Sequence, residues 1–236
     1  MPVVAGVEVR RTKDRIYCDV NDIDIRIGAR VICETEHGLE VGVVFEKERM
    51  VEKKSKDIGK ILRLVNAEDE KRIRDNLTKA REVTKTVIEQ IQKHDLNMKL
   101  TCLDYTYDRG KLFVYYTTET RVDFRELIKD LAHLLKTRIQ MVQIGVRDAT
   151  QIVGGLGPCG QILCCCVYLR DFRPCTMEMA KEQDVPINVA KLTGICGRLM
   201  CCLSYEYECY KEVGRELPRM NSMVATPHGA GKVTKL

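Results

Sequence analysis

Residues 154–209 read GGLGPCGQILCCCVYLRDFRPCTMEMAKEQDVPINVAKLTGICGRLMCCLSYEYEC, and the rest of the chain is organised around them. This stretch holds nine of the protein's twelve cysteines. It also repeats the pattern G-x-C-G-x-x-x-C-C-x-x-Y, at residues 157–168 and again 37 residues later at 194–205. Core packing does not require such a spacing, because buried positions accept other apolar residues of similar size. The repeated spacing therefore indicates that something binds to these sulfur atoms.

Size and composition place the chain among ordinary globular proteins. It has 236 residues, of which 44% are hydrophobic and 31% charged, enough for one or two domains with a real core. No apolar run reaches the roughly 20 residues that cross a bilayer, and the first residues do not resemble a secretory signal. We therefore expect a cytoplasmic protein, in which dense cysteines more often bind metal or do redox chemistry than form disulfides. A net charge of +5 is compatible with nucleic acid but does not demand it.

The sequence predicts an α+β fold with four parts. Short Val- and Ile-rich runs between turn signals predict a small β-barrel-like module over residues 1–50. The charged stretch Glu46–Lys60 is expected to be a solvated connection. A ferredoxin-like β-α-β-β-α-β unit is predicted over residues 61–147, beginning with a strand at 61–65 and a helix at 66–96. A duplicated, Cys-rich helical segment at 148–212 and a β tail at 213–236 complete the chain.

The repeated cysteines are the candidate metal ligands. They are Cys159, Cys164, Cys165, Cys196, Cys201 and Cys202. Thiolates are soft ligands that suit zinc and iron–sulfur clusters. No histidine lies between residues 134 and 227, which excludes a Cys-His zinc site built within this segment.

The arrangement of the ligands stays open at this point. Neighbouring residues on a helix point about 100° apart, so the two members of each adjacent pair are not expected to face one site. Either Cys159, Cys196 and one member of each pair converge on a single site, or each half holds an incomplete site that another subunit finishes. A redox thiol switch is a further alternative.

The other cysteines carry weaker signals. Cys166, Cys175 and Cys209 lie outside the repeat and are candidate additional ligands. Cys18, Cys33 and Cys102 are scattered on predicted strands, and we expect them to be small buried hydrophobic residues.

Direct RNA or DNA binding, with a structural zinc or redox-thiol site, is the alternative function. Residues 109–116, RGKLFVYY, partly fit the first signature of RNA-recognition domains. Lys111 and Leu112 depart from that signature, so the favoured interpretation is a hairpin in which Phe113 and Tyr115 pack on one face. No catalytic constellation or phosphate-binding loop is present in the sequence, and we expect a protein that is not an enzyme.

The motifs of the cysteine segment resemble those of the bacterial RicT/YaaT family, which carries the polymerase-suppressor (PSP) C-terminal domain. The resemblance rests on G-x-G-P-C-G-x-x-x-C-C, a spacer with an MAKEQ helix, and K-x-T-G-x-C-G-R-L-M-C-C-L. It implies a non-catalytic regulatory subunit that binds an iron–sulfur cluster of the [4Fe-4S] type. The family's cysteines fall on the six repeated positions named above.

The resemblance also implies partners. RicA-like and RicF-like proteins would assemble with the chain, and the complex would act on messenger RNA processing that depends on RNase Y, with a link to sporulation. A homo-oligomer and a weak RNA contact remain open alternatives.

Overall fold

A computed structural model of the chain describes residues 3–10, 12, 14–50, 58–218 and 220–234, with only the backbone at 48–50. The chain divides into two compact units, Met1–Val153 and Gly154–Leu236. Both helices and several separate sheets are present, which confirms the mixed α+β class.

The first unit begins with a closed five-stranded sheet. Its strands are β1 (Val3–Val9), β2 (Asp14–Asp19), β3 (Arg30–Thr35), β4 (Gly38–Met50) and β5 (Gly59–Leu64). They pair in the order β1-β2-β5-β3-β4, and β4 returns to pair with β1. Alternate apolar side chains fill the interior, because successive residues of a strand point to opposite faces. The solvated connection predicted at Glu46–Lys60 is wrong at both ends, because its first residues continue β4 and Gly59 and Lys60 begin β5. Residues 51–57 lie outside the described residues.

The strand predicted to open a ferredoxin-like unit lies in this closed sheet, which corrects the prediction. As β5, it pairs in parallel with β2 and antiparallel with β3. Ile61 is fully buried in the barrel core, whereas Leu62 and Leu64 are 38% and 44% exposed. The position also requires Gly59, because a Cβ there would come within 2.9 Å of the Cys18 Sγ atom. The strand therefore buries a single apolar side chain and lies between β2 and β3 in the barrel.

The remainder of the first unit is a three-stranded sheet with helices. Its elements are α1 (Ala67–Lys93), β6 (Lys99–Tyr105), β7 (Lys111–Thr117), α2 (Arg125–Leu135), β8 (Arg138–Gln143) and α3 (Val146–Val153). The strand order is β6-β7-β8, with β7 antiparallel to β6 and parallel to β8. Residues of α1 and α2 share a core with one face of this sheet, and Ile152 of α3 packs with Phe113 and Tyr115.

Asp69 joins β5, α1 and the turn after β6. Its side chain and that of Asn66 form a capping box at the start of α1. The same carboxylate, 2% exposed, accepts hydrogen bonds from the two terminal nitrogens of the Arg63 guanidinium and one of 2.5 Å from the Tyr107 hydroxyl. The Arg63 guanidinium is the main cause that lowers the pKa of Asp69. The Asp69 carboxylate therefore connects strand β5 of the barrel to helix α1 and to the turn after β6.

The second unit is built from short elements. They are α4 (Cys164–Val167), α5 (Met177–Glu182), α6 (Val189–Leu192), α7 (Cys201–Glu216), β9 (Met223–Thr226) and β10 (Gly229–Lys232). Its core is small: Ala180, Leu192 and Leu203 are buried, with Cys175, Leu199 and other partly buried residues packed around them. Strands β9 and β10 pair as an antiparallel hairpin.

Candidate metal centre

The sequence duplication is also a duplication of backbone structure. In the first half Gly157 N–H bonds to the Gln161 carbonyl at 2.8 Å, and in the second Gly194 N–H bonds to the Arg198 carbonyl at 2.9 Å. Equivalent antiparallel bridges close both hairpins, Leu156 with Ile162 and Thr193 with Leu199. Each hairpin leads directly into a helix that begins at an adjacent cysteine pair, α4 or α7. The two halves therefore share one hairpin–helix form.

Glycine at the fourth position of each repeat makes the hairpin turn possible. Gly160 and Gly197 have φ values of 78° and 75°, in the left-handed region that side chains with a Cβ rarely adopt. Each donates its N–H to the carbonyl of the first glycine of its own half, Gly157 or Gly194, at 2.9 Å. The cysteine just before each of them is therefore held at the tip of a tight turn.

The tip cysteines occupy similar positions. The Cys159 Sγ atom lies 3.3 Å from where a Cβ on Gly157 would be, and the Cys196 Sγ atom lies 3.7 Å from the same point on Gly194. Cys159 is exposed and Cys196 is half-buried. Both hairpins thus present one thiol on the same side of the turn.

The cysteine pairs at the helix starts interact with one another. Burial raises the pKa of the Cys165 thiol to about 11, and nearby Cys166 and Cys201 contribute to the rise. Burial is also the main reason that the pKa of Cys202 rises to about 11, with contributions from Glu206 and Cys164. Thiols from the two halves therefore lie near one another, and Cys165 and Cys202 keep their protons at neutral pH. A bound soft cation would have to displace those protons.

Two tyrosines end the repeats and meet each other. The ring centroids of Tyr168 and Tyr205 lie 5.2 Å apart, with the ring planes at 56°. A side-chain hydrogen bond with Cys164 raises the pKa of Tyr168. The sequence shows both tyrosines in the repeat, but only the structure shows that they form a pair beside the thiols.

The cysteines outside the repeat have separate environments. Cys166 lies beside Cys165 and is half-buried, while Cys209 is exposed on α7. Cys175 packs in the small core of the second unit, where its thiol approaches the Met200 carbonyl at 3.6 Å. Cys18, Cys33 and Cys102 are buried in the first unit, as expected from the sequence.

The donor set has the right chemistry for a soft metal, but its described arrangement is incomplete. Within the described residues, no group of three or more His, Cys, Asp or Glu side chains is placed to hold a metal ion.

The aromatic residues of the alternative RNA-binding interpretation are not available for base stacking. Phe113 and Tyr115 are each 1% exposed and stack on each other with centroids 6.1 Å apart. The Arg10 guanidinium lies 4.7 Å from the centroid of the Phe113 ring, and His37 meets that ring edge-on at 5.6 Å. The favoured interpretation from the sequence, a packed hairpin, is confirmed.

A duplicated cysteine hairpin–helix unit preceded by a barrel and a helix-covered sheet defines the class of protein. The model of the PSP1 C-terminal conserved region matches residues 59–144, and that of the third domain of PSP1-like proteins matches residues 174–217. The first match includes the three-stranded sheet and the second includes the second cysteine half, so both place the chain among PSP1-type proteins.

The full-length comparison identifies the family. The chain is 39% identical over 235 residues to "Stage 0 sporulation protein YaaT" of Bacillus subtilis, covering 99% of this chain and 86% of that protein. The chain belongs to the YaaT/RicT family.

Two fungal proteins share a short part of the sequence. Protein PSP1 of Saccharomyces cerevisiae is 46% identical over 52 residues, which is 22% of this chain and 6% of that protein. An uncharacterized protein of Schizosaccharomyces pombe is 40% identical over 55 residues, 23% of this chain and 7% of that protein. No solved structure matches the chain. Across the described residues, no helix combines the length and apolar composition that crossing a membrane requires.

Proposed function

We propose that the chain is a non-catalytic regulatory adaptor whose duplicated cysteine segment binds a soft metal centre. The centre we favour is an iron–sulfur cluster of the [4Fe-4S] type, with zinc as the alternative. One observation carries the proposal: two hairpins with matching backbone hydrogen bonds, each followed by a helix, each present a tip thiol and a pair of helix-start thiols. Packing of the two units would not by itself require three thiols in each of them.

The six repeated cysteines would hold the centre. Four thiolates are the usual number for such a cluster, and each half offers at most three. Proximity of the helix-start thiols of the two halves supports a shared centre that joins them. Because the described arrangement is incomplete, we propose that the hairpins close around the centre or that a partner supplies the missing thiolate. When bound, the centre would cross-link the two halves and, if it is a cluster, carry a charge that depends on its oxidation state.

The regulatory role and the partners follow from family membership. The Bacillus relative is named for sporulation, which supports a role in developmental regulation. By the same resemblance we propose assembly with RicA-like and RicF-like proteins and an effect on RNase Y-dependent messenger RNA processing.

Purification without oxygen followed by metal analysis and an ultraviolet–visible spectrum tests the metal proposal. We expect a brown protein with iron and sulfide in near-equal amounts and visible absorbance that bleaches on reduction. A colourless protein with stoichiometric zinc would replace the cluster by a structural site. A folded chain with neither iron nor zinc would contradict the proposal.

A further inference from the structure

Helix α7 carries a row of exposed apolar side chains along its length. The row, called here the α7 stripe, follows a four-residue spacing and comprises Tyr205, Cys209, Val213 and Leu217. Residues four apart are neighbours on one helix face. Tyr205, Val213 and Leu217 are 59%, 49% and 45% exposed, and the Cys209 side chain is exposed as well. Leu217 follows the last helical residue.

The helix is anchored elsewhere on its circumference. Leu203, near its start, is 3% exposed and packs with Ala180 and Leu192. The Leu203 carbonyl also accepts a 2.6 Å hydrogen bond from the Gln183 side chain. The later turns of α7 have no buried residue, so most of this 16-residue helix extends with its apolar row in solvent.

The charges around the α7 stripe are mostly negative. Four glutamates and two basic residues on α7 leave a net charge of −2: Glu206, Glu208, Glu212 and Glu216 against Lys211 and Arg215. Of these glutamates, 206, 212 and 216 each lie three residues from Cys209 or Val213, and so on the same side of the helix. A second copy of α7 would bring like charges together, and nucleic acid or an anionic membrane would be repelled.

We propose that the α7 stripe is the docking face for a basic amphipathic helix of a partner protein. Apolar residues of that helix would cover Tyr205, Cys209 and Val213, while its flanking lysines or arginines would face the glutamates. Helix recognition of this kind is set by apolar anchors one turn apart. The inference rests on the adaptor role proposed above and adds to it the chemistry of the partner.

Two matched synthetic peptides test the proposal on the full chain. Both are amphipathic helices with the same apolar row, and one carries lysine where the other carries glutamate beside that row. We expect the lysine peptide to bind at least tenfold more tightly by fluorescence anisotropy at moderate salt. It should also slow the alkylation of Cys209 at least fivefold, measured by mass spectrometry, while the exposed Cys159 thiol keeps its rate.

Two variants make the test specific to this face. Val213→Glu should lower the affinity for the lysine peptide at least tenfold. The double variant Glu212→Lys with Glu216→Lys, at two glutamates beside Cys209 and Val213, should reverse the preference and favour the glutamate peptide, an outcome that misfolding does not produce.

The metal content of both variants should equal that of the original chain, which separates this proposal from the metal proposal. Equal binding of both peptides, an unchanged preference in the double variant, or slow Cys209 alkylation in the free chain would each overturn it. A concentration-dependent dimer that protects Cys209 would show instead that a second copy covers the face.

Discussion

The rings of Tyr168 and Tyr205, which hold the same position in the two repeats, lie 5.2 Å apart at an angle of 56°. The fold therefore brings together two residues that are 37 positions apart in the sequence. This contact joins the end of α4 to the early part of α7, next to the thiols that we propose as ligands. The repeat is thus a spatial unit with two similar halves.

Replacing either tyrosine by alanine should loosen this contact. We expect Tyr168→Ala and Tyr205→Ala each to lower the stability of the second unit by about 1 kcal/mol, because aromatic pairs contribute that much beyond the area they bury. Chemical denaturation followed by circular dichroism measures the loss. Phenylalanine at the same positions keeps the rings and serves as the control. A double variant whose loss equals the sum of the two single losses would show that the rings do not interact.

The hairpin glycines should tolerate asparagine better than alanine. Gly160 and Gly197 have positive φ values and no atom within 4 Å of an added Cβ, so backbone strain is the only cost. We expect Gly160→Ala and Gly197→Ala each to destabilise the unit by about 1 kcal/mol. Asparagine visits this conformation more readily and should cost less. The free energy of unfolding of each variant, from chemical denaturation, measures the difference. Equal losses for both substitutions would argue against the left-handed turn.

Serine at the hairpin tips distinguishes one shared centre from two separate ones. In a shared centre, either Cys159→Ser or Cys196→Ser should abolish the whole iron signal of anaerobically purified protein. With two independent centres, each variant should lose about half of it. The control is Cys102→Ser, which changes a buried thiol in the first unit and should leave the iron content unchanged. Full iron content in both tip variants would remove these two cysteines from the ligand set.

Acid should weaken the first unit through Asp69. Its pKa is lowered by Arg63, so its stabilising effect is present above the unfolded value of about 3.9 and is lost as the pH falls below it. We expect Asp69→Asn to cost about 2 kcal/mol at neutral pH, since it removes a charged partner from several hydrogen bonds. The cost should shrink toward pH 3, where the original carboxylate has lost part of its advantage but is still ionised in the folded state. Urea unfolding at several pH values measures this, and a cost independent of pH would contradict the assignment.

The sequence predicts the local features of this protein better than it predicts which strands pair. Helical periodicity places α1 correctly, and the glycine–cysteine spacing alone identifies the duplicated unit. The sequence assigns the strand with Ile61 to the wrong sheet, because the partners of that strand on β2 and β3 lie far away in the chain and leave no local signal. The meeting of Tyr168 with Tyr205 is likewise a tertiary contact. The exposure of the α7 stripe is not predictable either, since an apolar row on a helix normally indicates a buried face.

The place of β5 has a consequence for dissecting the protein into fragments. The PSP1 C-terminal conserved region starts at residue 59, the first residue of this strand, yet β5 belongs to the barrel. Cutting the gene at that family boundary would leave one fragment with an unpaired strand and the other with an open barrel. Each would expose sheet edges that invite aggregation. Residues 1–153 are therefore the better fragment to express. The region that the family model matches contains only one strand of the barrel, and strands β1 to β4 complete it.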